Sequence, residues 1–269
     1  MELQSDTFEL SPPVVLQKMK IANATCYIAR EDLLEGGTKQ RAIAPYLEDL
    51  VRAGYTHFIY ASPFCGFAQV ALAASARQLG LKVTIFSEHD PKQSDATSNP
   101  HAFTQIAADF GAEIRLFRDL NSAELAAAEF ARLHGRRYKI PLGFADASYL
   151  VHMKQKLSEQ YRIICKAIGT PKRFWLPVGS GTLARIFAEV VPSTCQLVCV
   201  DVRVLRPDDP RLHFVADMPN VKWIQTPELF HETAEMKPAL PSNVHYDAKL
   251  WRFFASQAQD GDIWWNVAR

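Results

Sequence analysis

Two runs of this chain carry residue types able to do chemistry together. The first, Arg30-Glu31-Asp32-Leu33-Leu34-Glu35-Gly36-Gly37-Thr38-Lys39-Gln40-Arg41, presents an amine two residues behind a glycine pair. The second, Pro177-Val178-Gly179-Ser180-Gly181-Thr182, falls between an expected strand and an expected helix. A lysine amine holds an aldehyde as a Schiff base, but an ordinary lysine, with a pKa of about 10.4, is protonated and a poor nucleophile. It must be desolvated or set near positive charge, and Arg41 offers the second. The two glycines allow a tight turn and a close approach to a flat ring. The backbone N–H groups of Gly179 to Thr182 would point at an anion with a helix dipole behind them. Aldehyde and phosphate together describe pyridoxal 5'-phosphate. Taken singly, a solvated lysine after a Gly-Gly turn and a strand-to-helix turn with Thr182 as N-cap are the commoner meanings of such runs.

The run from Arg30 to Arg41 resembles the signature around the Schiff-base lysine of the fold-type II (tryptophan synthase β-like) pyridoxal phosphate enzymes. The nearest branch is that of aminocyclopropane-carboxylate deaminase and D-cysteine desulfhydrase, which read R-E-D-L-x-x-G-G-N-K-x-R here. Ile59 to Leu81, Ile140-Pro141-Leu142-Gly143 and His245-Tyr246-Asp247-Ala248-Lys249 fit the same branch in the same order, so the resemblance spans most of the chain. It reverses the ordinary reading of Lys39 and of the glycine-rich turn. It implies an α/β fold of two open, mostly parallel sheets flanked by helices, with Lys39 binding the cofactor covalently and Gly179, Ser180, Gly181 and Thr182 holding its phosphate.

The resemblance also assigns a substrate loop, Ala61-Ser62-Pro63-Phe64-Cys65-Gly66-Phe67. Family members carry an S-G-N-T-G or Q-S-N-H type sequence there, which binds the substrate carboxylate, while its asparagine contacts the cofactor's phenolic oxygen. Here Phe64 or Phe67 takes the asparagine's place, and a phenyl ring cannot donate that hydrogen bond. Either ring would stack on a substrate ring or belong to the core. Ser62, Phe64, Cys65, Gly66, Phe67 and Gly143 are the implied substrate-binding residues. Tyr246 and Asp247 align with a Tyr-Glu pair that stands near the reacting substrate and the pyridine nitrogen, making Tyr246 a catalytic and Asp247 a cofactor-binding candidate; as a plain loop residue Asp247 would be a helix N-cap. The H-T-G-G type ending common in the branch is absent.

Composition agrees with an enzyme of this kind. The 269 residues are 48% hydrophobic, enough for one or two cores. A net charge of +1 gives no global case for nucleic acid or membrane as partner, although Arg136-Arg137 and Lys172-Arg173 are locally basic. The opening Met-Glu-Leu-Gln-Ser-Asp lacks the pattern of a secretory signal, so a cytoplasmic protein is expected. Five cysteines without a C-x-x-C pair predict free thiols, and the spacing of His57, His89, His134, His152 and His245 gives no metal site. No G-x-S-x-G, Walker or Rossmann fingerprint competes.

Short apolar runs alternate with longer amphipathic ones, the pattern of a parallel sheet covered by helices. Strands are expected at 57–61, 82–87, 113–117, 173–177, 196–202, 221–225 and 263–267. Helices are expected at 42–53, 66–79, 102–110, 122–134, 148–168 and 183–190. By resemblance, residues 54–136 form a small α/β domain inserted into a large cofactor-binding domain of residues 1–53 and 137–269, and dimers are usual. The activity implied is that of a deaminase or lyase acting at the α-carbon of a small amino acid. The apolar loop keeps two alternatives open: decarboxylation of an amino-acid moiety attached to thymine in phage DNA, and a degenerate, non-catalytic binding module.

Overall fold

A computed structural model describes residues 9–90, 100–206 and 209–269. The N-terminal stretch on which the secretory-signal expectation rests lies outside them. In chain order the strands are β1 (Leu16–Ile21), β2 (Ala24–Arg30), β3 (His57–Ser62), β4 (Lys82–Glu88), β5 (Glu113–Phe117), β6 (Arg137–Ile140), β7 (Arg173–Val178), β8 (Gln196–Asp201), β9 (Val221–Gln225) and β10 (Ile263–Asn266). The α-helices are α1 (Gln40–Arg52), α2 (Ala68–Gln78), α3 (Ala102–Asp109), α4 (Leu120–Arg132), α5 (Ala147–Ile168), α6 (Thr182–Val190), α7 (Pro210–Ala216) and α8 (Asp247–Gln257). The chain divides into two compact units. Unit one is Lys39–Ile140 with the N-terminal segment up to Pro12, and unit two is Pro13–Thr38 with Pro141–Arg269. The seams fall at 12/13, 38/39 and 140/141, where the sequence suggested 53/54 and 136/137.

Unit one is built on a four-stranded parallel sheet in the order β5-β4-β3-β6. Every residue of β3 is buried, as expected of a parallel strand covered on both faces. Helix α4 starts where Asp119 accepts the N–H of Ser122 at 2.8 Å, an N-cap that satisfies one of the helix's open donors. Its small residues Ala123 and Ala127 lie in a cluster with Ile59, Ala61 and Phe86. Helix α2 buries Ala71, Ala73, Ala74 and Ala76, and α1 and α3 pack against it.

Unit two carries a mixed six-stranded sheet in the order β1-β2-β10-β7-β8-β9, antiparallel only at β1. Its last strand in sequence, β10, lies between β2 and β7 and pairs in parallel with both. Trp264 of β10 packs with Trp175, Leu250 and Phe254 beneath the sheet. Asp262, immediately before β10, is 1% exposed. Its carboxylate accepts Arg173 Nε at 2.9 Å and Nη2 at 2.5 Å, Trp175 Nε1 at 3.0 Å and the Gln259 N–H at 3.0 Å. Its carbonyl takes the Tyr27 N–H at 2.9 Å, so one residue ties β2, β7 and β10 together.

The expected strands and helices are present, with ends shifted by a few residues. Three strands and two helices were not expected. Strands β1 and β2 form a hairpin whose connecting pair, Ala22-Asn23, has none of the glycine that marks such turns, and Ala22 itself adopts φ +49°. Strand β6 is four residues long and half polar. Helix α7 begins at a proline, and α8 opens on a segment that reads as a loop. All five cysteines are free. Among the described residues no helix is long and apolar enough to cross a membrane, and no cluster of His, Cys, Asp and Glu could hold a metal ion.

Replacing Asp262 by Ala strands the Arg173 guanidinium in a mostly buried position. Loss of one partner of such a pair costs about 3–5 kcal/mol. Urea unfolding of D262A monitored by tryptophan fluorescence is expected to show that loss, and an unchanged midpoint would refute the role given to this carboxylate.

Candidate active site

Lys39 is half-buried at the first position of unit one, at the end of a short 3-10 turn, Gly37–Lys39. The backbone leading to it is fixed from β10: the Thr38 N–H donates to the Val267 carbonyl at 2.9 Å, and the Thr38 hydroxyl accepts Trp265 Nε1 at 2.8 Å. Gly37 has φ +60°, and a Cβ there would stand 2.4 Å from the Val267 oxygen. The glycine pair therefore serves a close passage of two backbones. Arg30 and Asp32, the charged ends of the R-E-D motif, form a two-pronged pair at 2.8 and 2.7 Å, and Asn266 Nδ2 donates to Asp32 at 2.8 Å. These motif residues hold the approach to the lysine.

Burial pushes the Lys39 amine down from 10.5 to about 8. Arg41, which the sequence offered as the source of that shift, instead points its guanidinium at the Ser11 hydroxyl, 3.3 Å away, and the Pro12 carbonyl, 2.5 Å away. Desolvation alone accounts for the depressed value.

In unit two, Gly179 and Ser180 follow β7 at its carboxyl end, the side of an open parallel sheet where ligands bind. Gly181 caps α6 in the left-handed region at φ +80° and supplies no side-chain bond to the helix's first N–H groups. The Ser180 and Thr182 hydroxyls stand 3.1 Å apart, and Thr182 donates to the Gly143 carbonyl at 3.4 Å. A Cβ on Gly143, itself at φ +71°, would lie 3.0 Å from the Ser180 side chain. Gly143 thus packs beneath the turn, a supporting place where the resemblance implied substrate contact. Helix N–H groups, two hydroxyls and a glycine backbone are the donor set that a phosphate monoester requires.

Tyr246 lies against this turn. A Cβ added to Gly179 would meet the Tyr246 Cε1 at 2.7 Å, with the hydroxyl at 3.5 Å. The Phe230 ring meets Tyr246 edge-on at 5.1 Å. Lys249, 1% exposed, donates to the Leu229 and Phe230 carbonyls at 2.6 and 3.3 Å, pinning that segment to α8. Asp247 is the first residue of α8 and fully buried. Its two carboxylate oxygens accept the Val267 N–H at 2.6 Å and the Ala268 N–H at 3.2 Å. Burial pushes its pKa well above 3.8, the nearby Asp32 adds to the rise, and the two N–H groups oppose it. Phe230 and Asn266 carried no motif that could have revealed them.

The loop Ser62 to Phe67 joins β3 to α2 within unit one. Gly66 is required there, since a Cβ would stand 2.8 Å from the Ser62 hydroxyl. Phe64 and Phe67 are 6% and 9% exposed. Phe64 meets His101 edge-on at 5.4 Å, and Phe67 meets Phe103 edge-on at 5.1 Å. Both rings are core, and neither offers an open face for a substrate ring. Gln69, fully buried, donates to the Phe64 carbonyl at 3.2 Å and steadies the loop; no motif marked it.

Together these features define the fold of the fold-type II pyridoxal phosphate enzymes, two α/β sheets with a lysine after a glycine pair in one unit and a glycine-rich strand-to-helix turn in the other. Similar solved structures include an ACC deaminase homologue, with a TM-score of 0.73 at 16% identity over 97% of this chain and 90% of that one. An O-acetylserine dependent cystathionine beta-synthase from Helicobacter pylori gives a TM-score of 0.69 at 17% identity over 100% of this chain and 96% of that one. Diaminopropionate ammonia lyase from Escherichia coli, in apo form, gives 0.66 at 12% identity over 96% and 83%. No family model and no curated protein sequence matches the chain.

Two outcomes follow from the electrostatics. Acylation of Lys39 by an amine-directed reagent, followed residue by residue by mass spectrometry, is expected to rise through a midpoint near pH 8, well below that of exposed lysines; a midpoint above 10 would remove the case for an activated amine. For Asp247 the folded-state pKa is raised, so its contribution to stability is present in acid and is lost as pH climbs through the folded value. Asp247→Asn mimics the protonated carboxyl and should change stability little in acid. Thermal melts should show the wild type losing stability relative to the variant as pH rises through the folded pKa.

Proposed function

We propose that this chain is a pyridoxal phosphate-dependent enzyme acting at the α-carbon of an amino acid, with deamination or elimination as its outcome. The observation that carries the reading is the half-buried Lys39 amine, whose pKa burial brings to about 8. An amine of that kind is partly neutral near pH 7 to 8 and so fit both to hold an aldehyde and to carry a proton. The residues present fit the cofactor: Lys39 would hold it covalently through Nζ, and the Gly179–Thr182 turn would hold its phosphate through N–H groups and the Ser180 and Thr182 hydroxyls. When bound, pyridoxal phosphate supplies an electron sink for the negative charge left at the α-carbon.

The chain's own part is positioning and proton transfer. Lys39 Nζ would accept a proton from the α-carbon and return one to the product. The main-chain N–H groups of the Ser62–Gly66 loop are the proposed partners of the substrate carboxylate, with the Gln69 bond to the Phe64 carbonyl keeping the loop in shape. The Tyr246 hydroxyl, beside Gly179, is the proposed second proton-transfer group. The resemblance gives Asp247 to the ring nitrogen. Its two bonds to the C-terminal segment and its burial support a positioning role instead, steadying Tyr246 from the next residue.

Purified protein mixed with pyridoxal phosphate is expected to develop a visible absorption band that Lys39→Ala abolishes and that candidate amino acids perturb. A wild type that stays colourless at saturating cofactor would overturn the proposal. Gly179→Ala, which drives a methyl into the Tyr246 ring, should keep the fold yet weaken cofactor binding by at least about tenfold, a loss of some 1.4 kcal/mol, measurable by titrating the same band.

A further inference from the structure

The basic pair Arg136-Arg137 has no task in the chemistry above. It opens β6 in unit one, and its place in the sheet is informative. Lys82 pairs in register with His57, and His57 with Arg137. Residues in register on adjacent parallel strands share a face about 4.8 Å apart, so Lys82, His57 and Arg137 form one basic row across β4, β3 and β6 at their amino ends. His57 is buried and bonded to the Thr84 hydroxyl at 2.8 Å, so the charges of the row are those of Lys82 and Arg137 on either side of it. A cavity of about 400 Å³ opens at the row, lined by His57, Lys82, His134, Arg136, Arg137 and Thr56 among others.

The charges around the cavity are compensated only in part, by Glu113, which feels Lys82 and His57 electrostatically. Glu113, one row further in, gives its oxygens to Arg115 at 2.9 and 2.6 Å and to the Thr84 hydroxyl at 3.3 Å. Among the described residues neither Lys82 nor Arg136 makes an ion pair or a side-chain hydrogen bond. Arg137 is held ready: it donates to the Phe130 carbonyl at 2.9 Å and lies over the Phe130 ring at 3.6 Å, which His57 meets edge-on at 5.8 Å. A guanidinium already fixed in place loses little freedom when it binds. Burial first, then Lys82, Arg137 and Arg115, hold the His57 pKa down to about 4, while Glu113 opposes them.

We propose that this cavity binds a small polyanion carrying more than one phosphoryl group, of the pyrophosphate or nucleotide kind. Lys82 and Arg137 stand two strand spacings apart, about 9–10 Å, wider than a single phosphate and within reach of a diphosphate. The cavity's volume falls within the range of small-molecule sites, about 300–1,000 Å³. A guanidinium fork beside an ammonium is the pairing that phosphoryl oxygens take best. The chain's near-neutral charge balance and the small size of the cavity favour such a ligand over a nucleic acid strand.

The test is calorimetric titration of the full chain with pyrophosphate, with and without pyridoxal phosphate, alongside NMR of the His57 ring assigned through His57→Gln. Binding is expected in both states, and the His57 resonance should move toward its protonated position as the bound anion restores proton affinity. The double variant Lys82→Gln/Arg136→Gln, at two exposed side chains, should weaken pyrophosphate at least about tenfold while leaving the melting curve in place. Equal affinity in the double variant, an unmoved His57 resonance, or sulfate binding as tightly as pyrophosphate would each overturn the proposal. An oligonucleotide that outcompetes pyrophosphate at these residues would overturn the small-ligand assignment and give the row to a polymer.

Discussion

The architecture of unit two depends on the placement of one strand. Among the described residues, strand β10 bridges the β1-β2 hairpin and the β7-β8-β9 half of the sheet. Buried carboxylates secure both its ends: Asp262 at the start, through Arg173, Trp175 and the Gln259 N–H, and Asp247 at the finish, through the Val267 and Ala268 N–H groups. Burying a carboxyl group is expensive, and each of the two is met by donors that water would otherwise have supplied. The same strand presents Val267 and Trp265 to Thr38, so the backbone that delivers Lys39 takes its position from β10.

That constraint explains the character of the candidate site. Glycines stand where no side chain fits: Gly37 against the Val267 carbonyl, Gly179 against the Tyr246 ring and Gly143 against Ser180. The reactive groups are few and the supporting ones many. Arg30, Asp32 and Asn266 hold the approach to the lysine, and Lys249 holds the segment bearing Phe230 against Tyr246. A half-buried amine tuned by desolvation rather than by a neighbouring cation needs such a scaffold, because its pKa follows from how water is kept away.

Much of this was legible in the sequence. The apolar runs that became β3, β4, β7 and β8 and the amphipathic runs that became α1 through α6 announced themselves by period. Lys39 and the Gly179–Thr182 turn were marked by motif. The β1-β2 hairpin was hidden because its turn uses Ala22 at φ +49° where glycine is customary. The partners of Asp247, Arg41 and Phe64 were not legible for one shared reason: type and position name a residue's chemistry, while long-range packing decides its partner. Asp247 meets residues twenty positions away, and Arg41 meets Ser11 and Pro12. Phe64 turns inward to His101. None of these partners leaves a trace in local spacing.

The central position of β10 has a consequence for how the polypeptide is made. Synthesis runs from the N-terminus, so β2 and β7 emerge long before residues 263–266 exist to fill the gap between them. Throughout that interval each presents a row of unsatisfied backbone donors and acceptors, the template on which chains aggregate. Unit one draws its strands and helices from residues that precede residue 141, so it can complete its sheet while unit two still waits. Ribosome-bound chains of this protein are therefore asymmetric, one half finished and the other open.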